Sequence, residues 1–446
     1  MAADGSVARV SGAGAFAGAV PALLRPLHAM IVAPSLLFVV TFGLMLFHSP
    51  DFHFYSIDRV GLGLLIFVVI LRVSVLRLPV QFGGPVTWSM LAMLLLAFSG
   101  GLAQGNEAET WSLFAAKWLV PYALFHLAAL VFDDAASLRH FEIFTLIALA
   151  YLSLIAAFFL FDLKSLIFPR FILDEGLGIH ADRARGPFLQ AVANGVTLNL
   201  LGLIALDSFR RGRLRAVPAL LLFTALPLAI LATKTRAVWL SFAGSIAVLL
   251  FSSPSRRLRR LCVCLGGAGV LALVLFGLFA DPNTTMGDRL EERSPVTFRL
   301  AVYEAGWQMF LQKPVTGWGA TAMQSELSSR ISEFHQEQFF FHNTYLEILV
   351  QYGLIGLALY AWIVIDLFRI GRRRDGIEFS PPGTLLDEPF RKLWPMLVGV
   401  YLVNGSLVVM NYQFVNGFLF TLAGMLAAQN RRSEYPQADR QYVFAS

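Results

Sequence analysis

The chain has 446 residues, of which 57% are hydrophobic and 14% are charged, and its formal net charge is +6. A mean hydropathy of +0.65 leaves too little polar surface to cover such a chain in water, so a soluble globular protein is excluded and an integral membrane protein is indicated. The positive charge does not indicate nucleic-acid binding, because the basic residues lie in short stretches between apolar runs.

Runs of mostly apolar residues predict transmembrane helices, since roughly 20 residues cross the hydrocarbon core of a bilayer. We therefore predict an all-α polytopic membrane protein with about 12 transmembrane helices, forming a single integral membrane domain over residues 1–446. The predicted spans, in chain order, are Met30–Phe47, Val60–Leu76, Val86–Gln104, Trp111–Val131, Phe141–Phe161, Pro187–Phe209, Ala216–Ala232, Ala237–Phe251, Leu261–Phe279, Thr344–Phe368, Leu393–Met410 and Phe414–Gln429.

Clusters of arginine indicate the orientation of these spans. In an arrangement of twelve spans, four clusters fall on one side of the membrane, namely Arg210–Arg215, Ser255–Arg260, Arg369–Arg374 and Asn430–Glu434. Because short cytoplasmic loops are enriched in Lys and Arg, this pattern predicts that both termini are cytoplasmic.

The largest segment on the opposite, outer side is the loop 280–343, between the ninth and tenth predicted spans. It contains a helical pattern that begins at Ser294, with Pro295 in its first turn and an apolar stripe. This helix could lie on the membrane surface and cover a site, with Arg299 turned inward, or it could pack against the bundle. The phenylalanines Phe339–Phe341 before the tenth span could anchor it at the interface or surround a polyprenyl chain.

The outer side also carries cations that the positive-inside rule does not predict. Several lie within a few residues of a predicted span, namely Arg183, Arg185, Lys234, Arg236, Arg289, Arg293 and Arg299. They could reach lipid headgroups and pair with nearby acids. They could instead bind an anionic substrate, since guanidinium binds phosphate in a bidentate manner.

Three of the outer groups stand where a predicted span begins. Arg185 precedes Gly186 and Pro187 at the sixth span, Arg236 precedes the eighth, and His342 precedes the tenth. The unpaired N–H groups at a helix N-terminus favour anions. We therefore expect Arg185 and Arg236 to converge on one anionic group, with His342 at the same depth.

At these positions the sequence resembles a known family. The stretches FFFHNTYLEILVQYGLIGLALY (Phe339–Tyr360) and RLAVYEAGWQMFLQKPVTGWGA (Arg299–Ala320), with RGPFLQAVANG and TKTRAVWL before them, resemble O-antigen ligases and the related O-antigen or exopolysaccharide polymerases. The resemblance covers about Arg183 to Tyr360. The His-Asn motif that opens a membrane helix is typical of the superfamily and does not separate ligases from polymerases.

The resemblance implies a glycosyltransferase on the periplasmic face of the bacterial inner membrane. Such an enzyme transfers a glycan from undecaprenyl diphosphate to an acceptor hydroxyl, which in ligases belongs to the lipid A core and in polymerases to a growing glycan. Arginines can neutralise the diphosphate leaving group by electrostatics, and the outer clusters lack convincing metal-ligand spacing, so we expect no metal and no cofactor.

Carried onto this chain, the family motifs indicate a role for individual residues. His342 matches the motif histidine and is expected to act as the general base, because the helix end and nearby arginines disfavour imidazolium. The alternative is that His342 only caps its helix, in which case Glu347 or His335 would be the next candidate base. The diphosphate is expected to contact Arg185, Arg236, Arg183 and Arg299, and weaker candidates for substrate contacts are Asn343, Lys234 and Arg289.

Two other features are weaker candidates for a site. The loop HSPDFHF (His48–Phe54), with Asp51 and the nearby Asp58, has a spacing that a metal could use, although one flexible loop rarely forms a metal site. Lys117 is a cation inside a predicted span, which is a functional candidate by default, but it could simply extend to the interface.

Three alternative functions remain open. A ligase is favoured over a polymerase, because a polymerase would more often show a second long arginine-bearing loop, and the fifth-to-sixth connection is short. A flippase for an anionic lipid would also need arginines and many spans, but transporters place their sites near the bilayer midplane, where charges are scarce here. A peptidoglycan polymerase of the SEDS type is a third, weaker alternative.

Overall fold

The computed structural model describes residues 31, 33–47, 56–78, 80, 83–103, 108–178, 180–252, 255–279, 294–331, 341–372 and 383–434. These residues form α-helices with short 3₁₀ and π-helical segments, and none of them lies in a β-strand. The α-helices are α1 (Pro34–Leu46), α2 (Ser56–Leu76), α3 (Pro85–Ala103), α4 (Ala108–Phe114), α5 (Val120–Val131), α6 (Ala135–Leu160), α7 (Ala191–Arg210), α8 (Ala216–Ala232), α9 (Arg236–Ser252), α10 (Arg256–Phe279), α11 (Ser294–Gln312), α12 (Ala320–Arg330), α13 (Thr344–Ile370), α14 (Phe390–Gly405) and α15 (Gln413–Glu434).

The helical class of the protein is as predicted. Each predicted apolar run contains a helix, and α4 and α5 are joined into one span by the π-helical segment Ala115–Leu119. In the described part of the chain, six helical stretches are long and apolar enough to cross a membrane: Ile57–Leu76, Pro85–Ala103, Thr110–Val131, Ala135–Leu160, Ala191–Arg210 and Thr344–Ile370. The helices α1, α8 and α9 are apolar but shorter. The protein is therefore an all-helical multi-pass membrane protein, and the number of twelve spans stays a prediction.

One helix boundary differs from its prediction in a way that affects the site. The sixth span was expected to begin at Pro187, but Pro187 belongs to a separate 3₁₀ turn, Gly186–Phe188. Leu189 then adopts a left-handed conformation with φ 53°, which an α-helix cannot include, so α7 begins only at Ala191. Arg185 consequently lies six residues before α7 and not at its N-terminus.

The helix α7 occupies the centre of the bundle. It packs against α6, α8, α9 and α14, and 89% of the residues in its most apolar stretch are buried. Glycines permit close approach, since a Cβ at Gly195 would lie 2.6 Å from the side chain of Val238 on α9. Polar groups join the same helices, because Ser241 Oγ accepts hydrogen bonds from Asn199 on α7 and Asn404 on α14 at 3.1 and 3.0 Å.

Buried ion pairs gather at one end of the bundle. Arg211 pairs with Glu142 at 2.7 Å and Asp207 at 2.8 Å, and its side chain is fully buried. Arg210 pairs with Asp207 and also reaches Asp387, before α14, at 2.6 Å. Each carboxylate thus meets at least one guanidinium, which offsets the cost of removing these charges from water.

The other arginine clusters lie at this same end. Arg391, in the first turn of α14, donates to the carbonyl of Ile370 at the end of α13 and to Gln429 at the end of α15. The guanidinium of Arg257, at the start of α10, lies 4.1 Å from the ring centroid of Phe209 at the end of α7. The helix ends that carry the predicted cytoplasmic arginines are therefore neighbours, and their cytoplasmic location stays a prediction.

The long helix α13 is broken at Gly353, which has φ 65° and ψ −161°. The segment between α11 and α12, Lys313–Gly319, docks into this break and satisfies the backbone groups that the break leaves unpaired. Its hydrogen bonds with α13 run from Trp318 N to Val350 O, from Gly319 N to Gln351 O, from Leu354 N to Pro314 O and from Ile355 N to Val315 O, at 2.9, 2.9, 2.8 and 3.4 Å.

This docking decides between the two alternatives for the helix that begins at Ser294. Gly353 lies nine residues after the start of α13, or about 14 Å along its axis. The helix α11 packs along α13, and its residues Val302 and Met309 are fully buried in a cluster with Phe341. The helix therefore packs against the bundle, and it does not lie as a separate cover on the membrane surface.

Candidate active site

The His-Asn pair stands at the start of α13, at the end of the bundle opposite the arginine clusters. Asn343 is the N-cap residue, because its side-chain oxygen accepts hydrogen bonds from the backbone N–H groups of Tyr345 and Leu346 at 2.9 and 3.1 Å. His342 precedes the cap and adopts a left-handed backbone with φ 50°. Capping is therefore performed by Asn343, and the imidazole of His342 is left for another role.

The surroundings of His342 keep its imidazole neutral. The ring is partly buried and meets Phe298 edge to face, with 6.2 Å between the ring centroids. Burial lowers the pKa of His342 to about 4, and the positive charges of Arg299 and His180 contribute in the same direction. At neutral pH the ring thus has a nitrogen lone pair that can accept a proton.

Arg299 and His180 come to His342 from two different elements. Arg299 lies on α11 and is partly buried, and Tyr303, one turn further, donates a hydrogen bond to the backbone carbonyl of His342 at 3.4 Å. His180 lies in the connection between α6 and α7 and is exposed. His180 could not be predicted from a motif, because it stands in none; its position five residues before Arg185 is the only local signal.

Arg185 has a different environment from the one the sequence predicts. Its side chain is buried, with 1% exposure, and Nε donates to the backbone carbonyl of Ile172 at 2.9 Å. Nη1 and Nη2 donate to the carbonyls of Leu177 and Asp174. A guanidinium that joins three carbonyls of one loop holds that loop in place, so the contacts favour a structural role over the expected diphosphate contact.

Arg236 differs from Arg185 in exposure. It is exposed and stands at the first residue of α9, where the free N–H groups also favour an anion. The two motif segments do meet through their backbones, since Ala184 N donates to Ala232 O at 3.0 Å and Asn194 donates to Ala184 O at 2.9 Å. Of the two motif arginines beside this junction, Arg236 is exposed and Arg185 is buried.

The remaining predicted cations are only partly described. Arg183 lies 3.9 Å from the Asp182 carboxylate and is mostly buried, and Lys234 is partly buried with φ 47°. Arg289 and Arg293 lie outside the described residues, as do His335 and the loop His48–Phe54.

The acidic candidate that is described is Asp58, at the start of α2. Asp58 is 2% exposed, and one of its carboxylate oxygens accepts a hydrogen bond from Gln413 at 2.9 Å. No group of three His, Cys, Asp or Glu side chains that could hold a metal occurs among the residues that the structure describes.

The segments that carry the motifs contain four of the described non-glycine residues with a left-handed backbone. His180, Leu189, Lys234 and His342 are non-glycine residues with φ between 47° and 55°. L-residues adopt this region rarely, and residues held there concentrate at functional sites. The four residues come from the connection before α7, the turn before α9 and the start of α13, which are the elements that the motif analysis selected.

A buried ion pair lies one turn below His342. Lys117, in the π-helical segment, contacts the carboxylate of Glu347 on α13, and the two side chains are 13% and 7% exposed. Lys117 therefore does not extend to the interface, and Glu347, considered in the sequence only as a reserve base, already has a partner. Insertions of a π turn into α-helices are frequent at functional sites.

A comparison with known protein families supports the resemblance that the sequence motifs indicate. Residues 218–361 match the protein family described as O-Antigen ligase. The match extends from α8 into α13 and includes Arg236, Arg299 and His342, so the resemblance to the O-antigen ligase superfamily is confirmed. Arg183 and Arg185 precede the matched segment. No curated protein matches the chain.

Proposed function

From this match we propose that the protein is an O-antigen ligase, which transfers a glycan from undecaprenyl diphosphate to a hydroxyl of the lipid A core. In this proposal the reaction takes place on the periplasmic face of the bacterial inner membrane, and both termini are cytoplasmic. The observation that supports it best is the neutral imidazole of His342, which is free of the capping role and stands beside Arg299 within the family segment.

The proposed reaction is a substitution at the anomeric carbon of the donor glycan. The acceptor hydroxyl attacks this carbon, its proton passes to a ring nitrogen of His342, and the bond between the carbon and the diphosphate oxygen breaks. Undecaprenyl diphosphate then leaves with the electron pair of that bond. The anionic donor would also raise the pKa of His342 when it binds, so the base would become stronger at the moment it is needed.

The leaving group requires positive charge, and the outer cations would supply it. Arg236 is exposed at the start of α9, and Arg299 is close enough to His342 to lower its pKa. Preorganised cations aimed at developing negative charge are among the strongest contributions to catalysis. We assign the diphosphate to Arg236 and Arg299, with Lys234 and Arg183 nearby, and we expect no metal or cofactor. Arg185 would support this site by holding the preceding loop.

A polymerase of the same superfamily is the second candidate, because the match does not separate the two activities. The connection between α6 and α7 supports the ligase. It folds into two short 3₁₀ turns, Lys164–Leu166 and Arg170–Leu173. Arg170 donates to the carbonyls of Lys164 and Ser165 in the first turn, and Arg185 donates to the carbonyl of Ile172 in the second. This connection carries Arg170, Arg183 and Arg185, but it is folded into compact turns, whereas we expect a second long, extended arginine-bearing loop of a polymerase.

Deletion of the gene separates the candidates. A ligase predicts that the undecaprenyl-linked polymer is still made and remains unattached to the lipid A core. Loss of long chains, with single repeat units still attached, would identify a polymerase. Loss of both products with accumulation of the lipid-linked unit in the cytoplasm would identify a flippase. Complementation with wild type and with His342→Ala then tests whether the imidazole is required.

A further inference from the structure

A cavity of about 360 Å³ lies below His342, between α3, the π-helical segment, α12 and α13. Its volume falls within the range of about 300–1,000 Å³ that is typical of small-molecule sites. The break at Gly353 contributes to this cavity, because the docked segment Lys313–Gly319 leads directly into α12, whose residues form one wall. Small residues on α3, Gly100 and Gly101, form part of the opposite wall.

The cavity is mainly apolar, with a limited number of polar groups and no excess charge. The charged groups in its lining are the paired Lys117 and Glu347, and the other polar groups are uncharged amides and hydroxyls. Aromatic rings complete the lining, among them Trp118 and Tyr352. Rings and a few well-placed polar groups are the usual composition of a site for an uncharged, partly polar ligand.

Several polar atoms of the lining lack a partner. Gln351 is 8% exposed, and its side chain makes no hydrogen bond within the described part of the chain. Gln324 Oε1 and Asn411 Oδ1 are buried and are likewise without a hydrogen-bond partner among the residues described. A buried amide that stays unpaired is unfavourable, so a ligand that bonds with these groups gains affinity.

The other parts of the substrate do not fit this lining. A diphosphate would meet the carboxylate of Glu347, and the charge of Lys117 is already compensated by that carboxylate. A polyprenyl chain offers no hydrogen bonds and would leave the amides of Gln351 and Gln324 unpaired. A sugar ring has hydroxyl groups that both donate and accept hydrogen bonds, and its C–H face can pack on an aromatic ring.

We infer that this cavity binds a pyranose unit of the glycan substrate, through hydrogen bonds to Gln351, Gln324 and the Lys117–Glu347 pair. The origin of that sugar rests on the proposed function. It is either a unit of the acceptor, whose hydroxyl must reach His342, or a unit of the donor next to the diphosphate. Both have the same ring chemistry, and the experiment below distinguishes them.

The test uses two neighbouring serines of α12. Ser328 lines the cavity, whereas Ser329 is exposed and is not part of the lining. Ser328→Phe would place a ring in the cavity, and Ser329→Phe adds the same ring outside it. Gln351→Leu removes the unpaired amide, with the exposed Gln308→Leu as its control. Neither cavity variant changes His342 or a proposed diphosphate ligand.

Binding is measured first, without reference to transfer. Wild type and variants in lipid nanodiscs are titrated by calorimetry with two lipid-free probes, the core oligosaccharide and the repeat unit of the polymer. We expect the wild type to bind one probe, and Ser328→Phe and Gln351→Leu to weaken that binding roughly tenfold or more, as for a site left with unpaired groups. The probe that binds identifies the origin of the sugar.

Transfer kinetics then give a second, independent readout. The cavity variants should raise the KM of the same substrate with little change in kcat, while Ser329→Phe and Gln308→Leu behave as wild type. The inference is overturned if the wild type binds neither probe, or if the cavity variants bind both probes as well as their controls do. A protein that binds a probe in this cavity but transfers no glycan would contradict the proposed function and leave the sugar site supported.

Discussion

At the scale of single residues, His342 and Arg185 illustrate how neighbours determine the role of a side chain. Both are polar groups beside a membrane helix, and both stand in stretches that resemble the same superfamily. His342 retains a neutral ring because burial, and after it the charge of Arg299, lowers its pKa, and the cap of the helix is supplied by Asn343. Arg185 instead directs its guanidinium into backbone carbonyls. One residue is thus available for chemistry and the other for support.

The first prediction concerns the pH dependence of transfer. A group whose pKa is lowered to about 4 is unprotonated above that pH, so kcat/KM of the wild type should fall only as the pH approaches 4. Arg299→Met removes a charge that lowers this pKa, and the acid limb of the pH–rate profile should therefore move to higher pH. Arg299→Lys, which keeps the charge, is the control and should leave the limb in place.

His342→Asn should lower kcat by roughly 10²- to 10⁴-fold with donor binding nearly unchanged, because the amide cannot take up a proton. A normal rate and an unaltered acid limb in this variant would remove His342 from catalysis.

The second prediction separates Arg185 from Arg236. Arg185→Ala should lower the thermal unfolding temperature, because three hydrogen bonds from a charged donor are lost and each is worth about 1.5–3 kcal/mol. Arg236→Ala should leave that temperature nearly unchanged and raise the KM for the donor, since its side chain is exposed. If Arg185→Ala were as stable as wild type and bound the donor weakly, the result would contradict the structural role and support the diphosphate contact that the sequence predicts for Arg185.

At the scale of elements, α13 depends on its break. A Cβ at Gly353 would lie 2.2 Å from the carbonyl oxygen of Val315, and the φ of 65° is itself unfavourable for other residues. The same break receives the segment Lys313–Gly319 and so positions α12 over the cavity. A local backbone conformation thereby connects helix geometry to the shape of a binding site.

The third prediction tests this connection. Gly353→Ala should displace the docked segment and lower the unfolding free energy by more than about 1 kcal/mol, because both the contact and the φ value oppose a Cβ. Gly244→Ala on α9, where an added Cβ meets nothing within 4 Å, should be neutral to slightly stabilising, because Ala favours a helix more than Gly does. Thermal unfolding of both variants in detergent measures the difference, and equal stability would argue against the docked geometry.

The fourth prediction concerns the ion pair between the π-helical segment and α13. Lys117→Met alone leaves the Glu347 carboxylate uncompensated, and breaking a buried pair typically costs about 3–5 kcal/mol. The double variant Lys117→Met/Glu347→Leu should recover most of that stability, although it should not recover sugar binding. A double-mutant cycle by thermal unfolding checks this, and additive effects of the two substitutions would show that the pair is not coupled.

At the scale of the whole molecule, the two ends of the bundle are chemically different. One end gathers arginines that are paired with buried carboxylates, such as Arg211 with Asp207. The other end carries His342, Arg299 and the exposed Arg236. This separation is what a one-sided membrane enzyme requires, because its water-soluble substrate groups and its charge-rich cytoplasmic loops face different compartments.

The fifth prediction follows from this asymmetry. We expect fusions after residue 446 and in the connection between α7 and α8 to report a cytoplasmic location, and a fusion in the segment 280–293 to report a periplasmic one. A fluorescent protein that matures only in the cytoplasm and a phosphatase active only in the periplasm give opposite readouts at each site. A periplasmic C-terminus would reverse the orientation and place His342 on the cytoplasmic side.

The sequence by itself determined the membrane class, the helical runs and the resemblance to the O-antigen ligase superfamily. These depend on hydropathy and on short motifs, which are local properties, so Ala216–Ala232 was predicted with the bounds that α8 has. The position of His342 and Asn343 at the start of α13 was predictable for the same reason. The start of α7 was not predictable. A proline is expected in the first turn of a helix, but Pro187 lies in a 3₁₀ turn, and the left-handed Leu189 separates this turn from α7.

Only the tertiary structure decided the roles that depend on distant residues. The partner of Lys117 is Glu347, which lies 230 positions away, and the carbonyls that hold Arg185 belong to a loop with no motif of its own. The neighbours of His342 come from α11 and from the connection before α7. Hydropathy cannot report such contacts, since burial and pairing arise only when the helices pack, and the same packing creates the cavity beneath His342.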